Sequence, residues 1–96
     1  MFLLEKHYRP ARSSDIVFQS MPPDTILLNL KTGYYFSTNR LGADVWERCD
    51  GNTTVAAMIE DLHRRYDVEL ERLTEDVESF LRQMIDEELL YVEGRP

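Results

Sequence analysis

The sequence predicts an α+β fold, in which a three-stranded antiparallel meander is followed by three helices. Two observations support this. Up to residue 38, short runs of β-branched and aromatic residues alternate with turn signals, whereas from residue 39 onward apolar residues recur at helical spacing. Strands and helices do not alternate, so βαβ units are excluded. A length of 96 residues allows one domain with a single core.

The strands differ in their turns and faces. A proline-rich turn at residues 22–24 ends the first strand, and Gly33 lies where a three-residue hairpin loop needs a left-handed residue. Strand alternation places Tyr34 and Phe36 on one face and Tyr35 on the other, so at least one tyrosine lies outside the core. The predicted strands cover residues 15–21, 25–30 and 34–37.

The helices are predicted from their caps and apolar stripes. Asn39 is a good N-cap for the first, and Thr53 or Thr54 can cap the second. The predicted helices cover residues 40–49, 54–66 and 70–87, a short extended segment follows at 89–92, and Val45, Trp46 and Leu62 fall on inner stripes. At this size, a winged-helix-like arrangement fits these elements.

The N-terminal segment is expected to differ from the rest. Residues 1–14 show no clean period and contain Pro10, which predicts an extended and partly loose arm before a domain at residues 15–92. The apolar start meets Glu5 too early for a signal peptide, and no apolar run is long enough to cross a bilayer. We therefore expect a cytoplasmic protein without a membrane partner.

Charge and side-chain chemistry favour binding over catalysis. The net charge of −7 lies in the second half of the chain and repels phosphate, so nucleic acid is a poor first partner. The single cysteine, Cys49, falls on an apolar helix stripe, and neither His7 nor His63 belongs to a metal-ligand cluster. We expect no catalytic residue, no cofactor and no structural metal.

The third helix has an apolar stripe that is wider than one core needs. Relative to Leu73, Leu81 and Ile85 lie at about 80° and 120° around the helix axis. Packing against the third strand would explain both positions equally well. The alternative is a peptide groove between this helix and the third strand, whose edge can accept a further strand.

A family resemblance favours the groove. Residues 27–36 and the later motifs Gly42-Ala43, Val45-Trp46 and Cys49-Asp50-Gly51 are similar to those of PqqD-like proteins, also called RiPP recognition elements, and the likeness covers roughly residues 25–90. The resemblance implies a non-catalytic, winged-helix-like adaptor that binds the leader segment of a ribosomally made precursor peptide as an added strand. Motifs point both to pyrroloquinoline quinone biosynthesis and to lasso-peptide pathways, and this choice stays open.

The resemblance also implies partners and a site. The partners are the leader peptide and a modifying enzyme of the same gene cluster, namely a radical-SAM enzyme, a cyclase or a leader peptidase; whether the chain forms a homodimer stays open. In two positions the sequence departs from the family pattern, with Thr38 in place of leucine and Glu88 in place of glycine. The expected peptide-binding residues are Tyr34, Tyr35, Phe36, Ser37, Thr38, Val77, Glu78, Leu81, Arg82 and Ile85.

Two alternatives remain at this point. A winged-helix regulator that binds DNA would have the same elements, but the third helix carries more acidic than basic side chains. A structural subunit that dimerises through its edge strand is also compatible with the sequence.

Overall fold

The computed structural model describes residues 4–93 and has the predicted α+β fold. The three-stranded sheet has the order β2-β3-β4, both pairings are antiparallel, and the three helices follow it in the chain. Within residues 4–93, no helix is both long and apolar enough to cross a membrane. The elements are β1 (Arg9–Arg12), β2 (Ile16–Met21), β3 (Asp24–Asn29), β4 (Tyr35–Thr38), α1 (Arg40–Glu47), α2 (Val55–His63), α3 (Leu70–Asp86) and β5 (Leu90–Glu93).

The N-terminal segment is packed into the domain, and the expectation of a partly loose arm is wrong for its described residues. β1 pairs antiparallel with β5 in a second, two-stranded sheet. Leu4 and Tyr8 are each only 5% exposed and belong to the core. The amide of Val55 donates to the carbonyl of Tyr8 at 2.9 Å, which joins the segment to the start of α2. A four-residue strand is too short to show a period, so its partner is visible only in the fold.

The core lies between the helices and one face of the three-stranded sheet. Val45, Trp46 and Leu62 are fully buried, as their helical spacing predicts, and Leu27 reaches them from the centre of β3. The predicted burial of Cys49 is confirmed as well. This core orients α1 and α3 relative to the sheet, and so positions the surface beside β4.

Local side-chain bonds explain where the first two helices begin and end. Asn39 caps α1 by accepting a bond from the amide of Gly42 at 2.8 Å, and Thr54 caps α2 in the same way. Both helices end earlier than predicted, at Glu47 and His63. The first amides after each helix bond three residues back, as in the bonds from Cys49 to Trp46 at 3.1 Å and from Arg65 to Leu62 at 2.9 Å, so the regular α-helical pattern is interrupted there.

The C-terminus of α3 is tightly closed although it lacks glycine. The amide of Leu89 donates to the carbonyl of Met84 at 2.9 Å, and the amide of Glu88 donates to the carbonyl of Ile85 at 3.0 Å. These are the two bonds of a Schellman motif, which requires a left-handed residue at Glu88. Its φ of 60° lies in that region, where a side chain is unfavourable.

We therefore expect Glu88→Gly to stabilise the protein. Glycine adopts a positive φ without the steric cost of a Cβ, so the free energy of unfolding should rise by about 1 kcal/mol. Urea unfolding of both variants measures the change. Glu87→Gly is the matched control because Glu87 has a φ of −87°, where glycine relieves nothing. Equal effects of the two substitutions would contradict the assignment of strain to Glu88.

Candidate functional site: the open edge of β4 and its groove

The outer edge of β4 offers unpaired main-chain groups. The amide of Asn29 donates to the carbonyl of Tyr34 at 2.9 Å, so these residues form a hydrogen-bonded pair. Such pairs alternate along an antiparallel ladder, and Phe36 therefore turns its main-chain groups toward β3. Tyr35 and Ser37 turn theirs away from β3. No strand in the described part of the chain lies on that side of β4, so this edge can accept an extended peptide.

The side chains of this strand divide between the two faces of the sheet. Tyr35 is 71% exposed on the outer face, and Phe36 is half-buried against the core. Tyr34, directly before β4, is also 71% exposed. Thr38 is buried, and its hydroxyl group both accepts from the amide of Thr25 and donates to its carbonyl. Compared with a leucine at position 38, this threonine thus lacks an apolar core contact and gains two hydrogen bonds to β3.

Two residues expected in the groove are in the core. Val77 and Leu81 are both fully buried, so neither side chain is accessible to a peptide. The apolar stripe of α3 has its centre on these residues, at about 40° and 80° from Leu73. The stripe identifies the side of the helix with the deepest burial. A groove next to β4 instead uses the edge of the stripe, which we call its shoulder. The first residue of this shoulder is Phe80, at about −20°.

That shoulder forms a cavity directly beyond the end of β4, which we call the Phe80 cavity. The half-buried ring of Phe80 contributes its apolar wall. Gly42 allows this approach, because a Cβ at that position would lie 2.8 Å from Cε1 of Phe80 and 3.0 Å from Cβ of Thr38. The sequence-based prediction missed this cavity. The available signal was Gly42, in the first turn after the cap residue Asn39, because a glycine inside a helix allows close packing. Its lining residues are Asn39, Leu41, Gly42, Asp76, Ser79, Phe80 and Gln83.

The remaining expected residues on α3 lie away from the Phe80 cavity. Ile85 lines a different, mostly polar cavity with Asn29 and Leu90, between the three-stranded sheet and β5. Glu78 forms an ion pair with Lys6 at 3.3 Å, which attaches the N-terminal segment to α3. Arg82 is exposed on the solvent side of the helix. Glu78, Arg82 and Ile85 therefore do not form one surface.

The surroundings of Cys49 make its thiol unreactive. Burial raises the pKa of Cys49 to about 12, and the nearby Arg12 guanidinium only partly offsets this effect. The sulfur also donates to the carbonyl of Val45 at 3.2 Å. A thiol with this pKa is almost wholly protonated near neutral pH and is a poor nucleophile. In residues 4–93, no group of His, Cys, Asp and Glu has the arrangement of a metal site.

Two solved structures have the same fold. One is described as "TbiB1 in Complex with the TbiA(beta) Leader Peptide"; it is 24% identical, with a TM-score of 0.77, and the alignment covers 90% of this chain and 98% of TbiB1. The other, "Lasso peptide synthetase B1 complexed with the leader peptide", is 17% identical with the same TM-score, over 86% of this chain and 98% of that one.

The sequence comparisons give the family. A search of curated proteins found no match. The sequence profile described as "Coenzyme PQQ synthesis protein D (PqqD)" matches residues 24–90, from the first residue of β3 to the first residue of β5. This match includes β4, α1 and α3, which together form the open edge and the Phe80 cavity. The chain therefore belongs to the PqqD family.

Proposed function

We propose that this protein is a non-catalytic adaptor that binds the leader segment of a ribosomally made precursor peptide and presents it to a modifying enzyme. The open edge of β4, which leads into the Phe80 cavity, is the observation that carries the proposal. Membership of the PqqD family supports it. The two structural neighbours support it as well, since both are described as complexes with leader peptides.

Strand addition would supply affinity that does not depend on the peptide sequence. Tyr35 and Ser37 each offer one N–H donor and one carbonyl acceptor to a peptide strand. A hydrogen bond of this kind contributes about 0.5–1.5 kcal/mol net. The main-chain ladder therefore holds any extended segment weakly, and the side-chain contacts must select the correct one.

The Phe80 cavity would supply selectivity. It combines an aromatic wall with polar groups from Ser79, Gln83 and Asp76, so it suits a side chain that has both apolar and polar parts. The proposed peptide site accordingly keeps residues 34–38 from the sequence-based prediction. On α3 it replaces the buried Val77 and Leu81 with the residues of this cavity.

The enzyme partner belongs to the same proposal. An adaptor without chemistry of its own is useful only where another protein acts on the bound peptide. A radical-SAM enzyme, a cyclase and a leader peptidase each act on such precursors and remain candidates. The gene neighbours of this protein distinguish among them.

Binding should require the outward-facing amide of Ser37. Overlapping segments of all short open reading frames that flank the gene are titrated calorimetrically against the protein. We expect one segment to bind with about −8 to −10 kcal/mol, which corresponds to micromolar or tighter affinity. Ser37→Pro removes a donor at the open edge and should weaken this binding at least tenfold, or by about 1.4 kcal/mol.

Ser20→Pro is the matched control. Asp15 and Leu30 form a hydrogen-bonded pair, so alternation turns the amide of Ser20 toward the opposite free edge of the same sheet. This variant should bind the segment as the parent does. Amide exchange at Tyr35 and Ser37 should slow when the peptide is bound. Slowing at Ser20 instead would place the peptide on β2, and binding by no segment would refute the proposed function.

A further inference from the structure

The groove does not end at the Phe80 cavity. A second cavity, which we call the Val68 cleft, follows it between the N-terminus of α1 and the loop before α3. Its volume is about 570 Å³, against about 320 Å³ for the Phe80 cavity. The two cavities share Asn39, Leu41 and Asp76, so they form one continuous surface. A ligand in the first cavity can therefore continue into the second.

The Val68 cleft combines apolar side chains with a polar margin of Asn39, Glu69, Arg72 and Asp76, and its apolar part is firmly held. Leu73 is only 1% exposed and forms the floor, while Leu41 and Tyr66 are half-buried. The hydroxyl of Tyr66 donates to the carboxylate of Asp44 at 2.5 Å, which fixes this wall against α1. Burial and this bond raise the pKa of Tyr66 to about 12, so the phenol keeps its proton near neutral pH.

Val68 is an exposed apolar residue in a loop. It is 42% exposed, and Leu70, at the start of α3, is 51% exposed. Val68 lies in the loop between α2 and α3. Its side chain completes the rim of the cleft above Leu73. Exposed apolar residues at the rim of an apolar cleft are typical of a binding surface.

The length of the groove indicates what occupies the cleft. The residues of α3 that line the two cavities, together with Glu69 directly before the helix, run from Gln83 back to Glu69. At 1.5 Å per residue this distance is about 21 Å. No residue of β4 lines either cavity, whereas Asn39, which directly follows the strand, lines both. An extended peptide needs about six residues to cover it. A peptide that pairs with β4 and leaves past Thr38 enters the Phe80 cavity first and the Val68 cleft second.

We propose that the Val68 cleft binds an aliphatic or aromatic side chain of the same leader peptide, about six residues beyond the part that pairs with β4. This proposal rests on the proposed function. It makes the recognised segment about ten residues long rather than four, because β4 accounts for only four. An apolar leader residue at this distance is then required for full affinity, and a peptide that matches only the strand binds weakly.

The test compares a long and a short peptide. The tightest-binding segment from the flanking open reading frames is shortened from each end in turn. Removal of the end that lies beyond Thr38 should weaken binding at least tenfold, whereas the remaining peptide still binds at β4. Val68→Asp should weaken the long peptide by the same factor and leave the shortened peptide unchanged. Nuclear Overhauser effects between the Val68 methyl groups and the long peptide give an independent readout.

Val17→Asp is the matched control, since Val17 is 51% exposed on β2 and distant in the sheet from the groove. It should leave both affinities unchanged. If Val68→Asp affects neither peptide, or weakens both equally, the cleft is not a subsite. Ser37→Pro separates this failure from failure of the proposed function: it should weaken both peptides even if the cleft is empty, and if it affects neither, strand addition itself is refuted.

Discussion

Replacing Leu81 with glutamate is expected to unfold the protein rather than only to weaken peptide binding. The side chain is fully buried among other core residues. A carboxylate there would lie within the apolar core cluster, and burying an unpaired charge costs about 4 kcal/mol or more. The stability of a small domain is about 5–15 kcal/mol in total, so this loss is a large share of it and nearly all of it at the lower end. Urea unfolding followed by circular dichroism measures the loss.

Phe80→Glu is the matched comparison for Leu81→Glu. Phe80 is adjacent in sequence but only half-buried at the wall of its cavity, so a carboxylate there reaches water. We expect this variant to remain folded and to lose peptide binding at least tenfold, about 1.4 kcal/mol. A folded Leu81→Glu variant without peptide binding would instead place Leu81 in the groove and contradict the orientation of α3.

Trp46→Ala is the second substitution with a large expected effect. The side chain is fully buried and packs edge to face against Phe18, with ring centroids 5.6 Å apart. Its indole N–H has no acceptor in the described residues, so the substitution removes no side-chain hydrogen bond. Deleting a buried ring of this size should lower the free energy of unfolding by about 3–5 kcal/mol.

Thermal melting followed by circular dichroism checks this value, since the variant lacks the only tryptophan of the chain. For a domain of this size, 1 kcal/mol corresponds to about 4–8 °C, so the melting temperature should fall by more than about 10 °C. Tyr35→Ala is the control because Tyr35 is 71% exposed. A Trp46→Ala variant that melts together with this control would show that α1 is wrongly oriented.

Local patterns were sufficient for the elements that carry strong periodicity. The three helices, the meander and the buried Val45, Trp46 and Leu62 all follow from spacing over a few turns. Short extended segments were harder to predict. The final strand was expected close to its observed position, but β1 was not, because its partner lies about 80 residues away in the chain.

The proposed site was predictable in part. The strand predicted at residues 34–37 corresponds to β4 at Tyr35–Thr38, and α3 as the other side of a peptide groove stays a proposal. It was not sufficient to select the groove-facing residues of α3, since an apolar stripe marks its most buried side. Leu81 is at the centre of that side, and Phe80 is at its shoulder. Both are apolar, and only packing against Gly42 distinguishes them.

The sequence by itself determined the fold class, the helices with their caps, and the family to which the chain belongs, because each depends on residues close together or on an ordered set of motifs. Tertiary structure alone decided which amides of β4 face outward. A shift of the strand register by one residue would turn the main-chain groups of Phe36 outward in place of those of Tyr35. It also decided that the Phe80 cavity and the Val68 cleft are continuous. The rotation of α3 about its axis and the approach of α1 to it depend on contacts between residues distant in the chain, and no local pattern encodes such contacts.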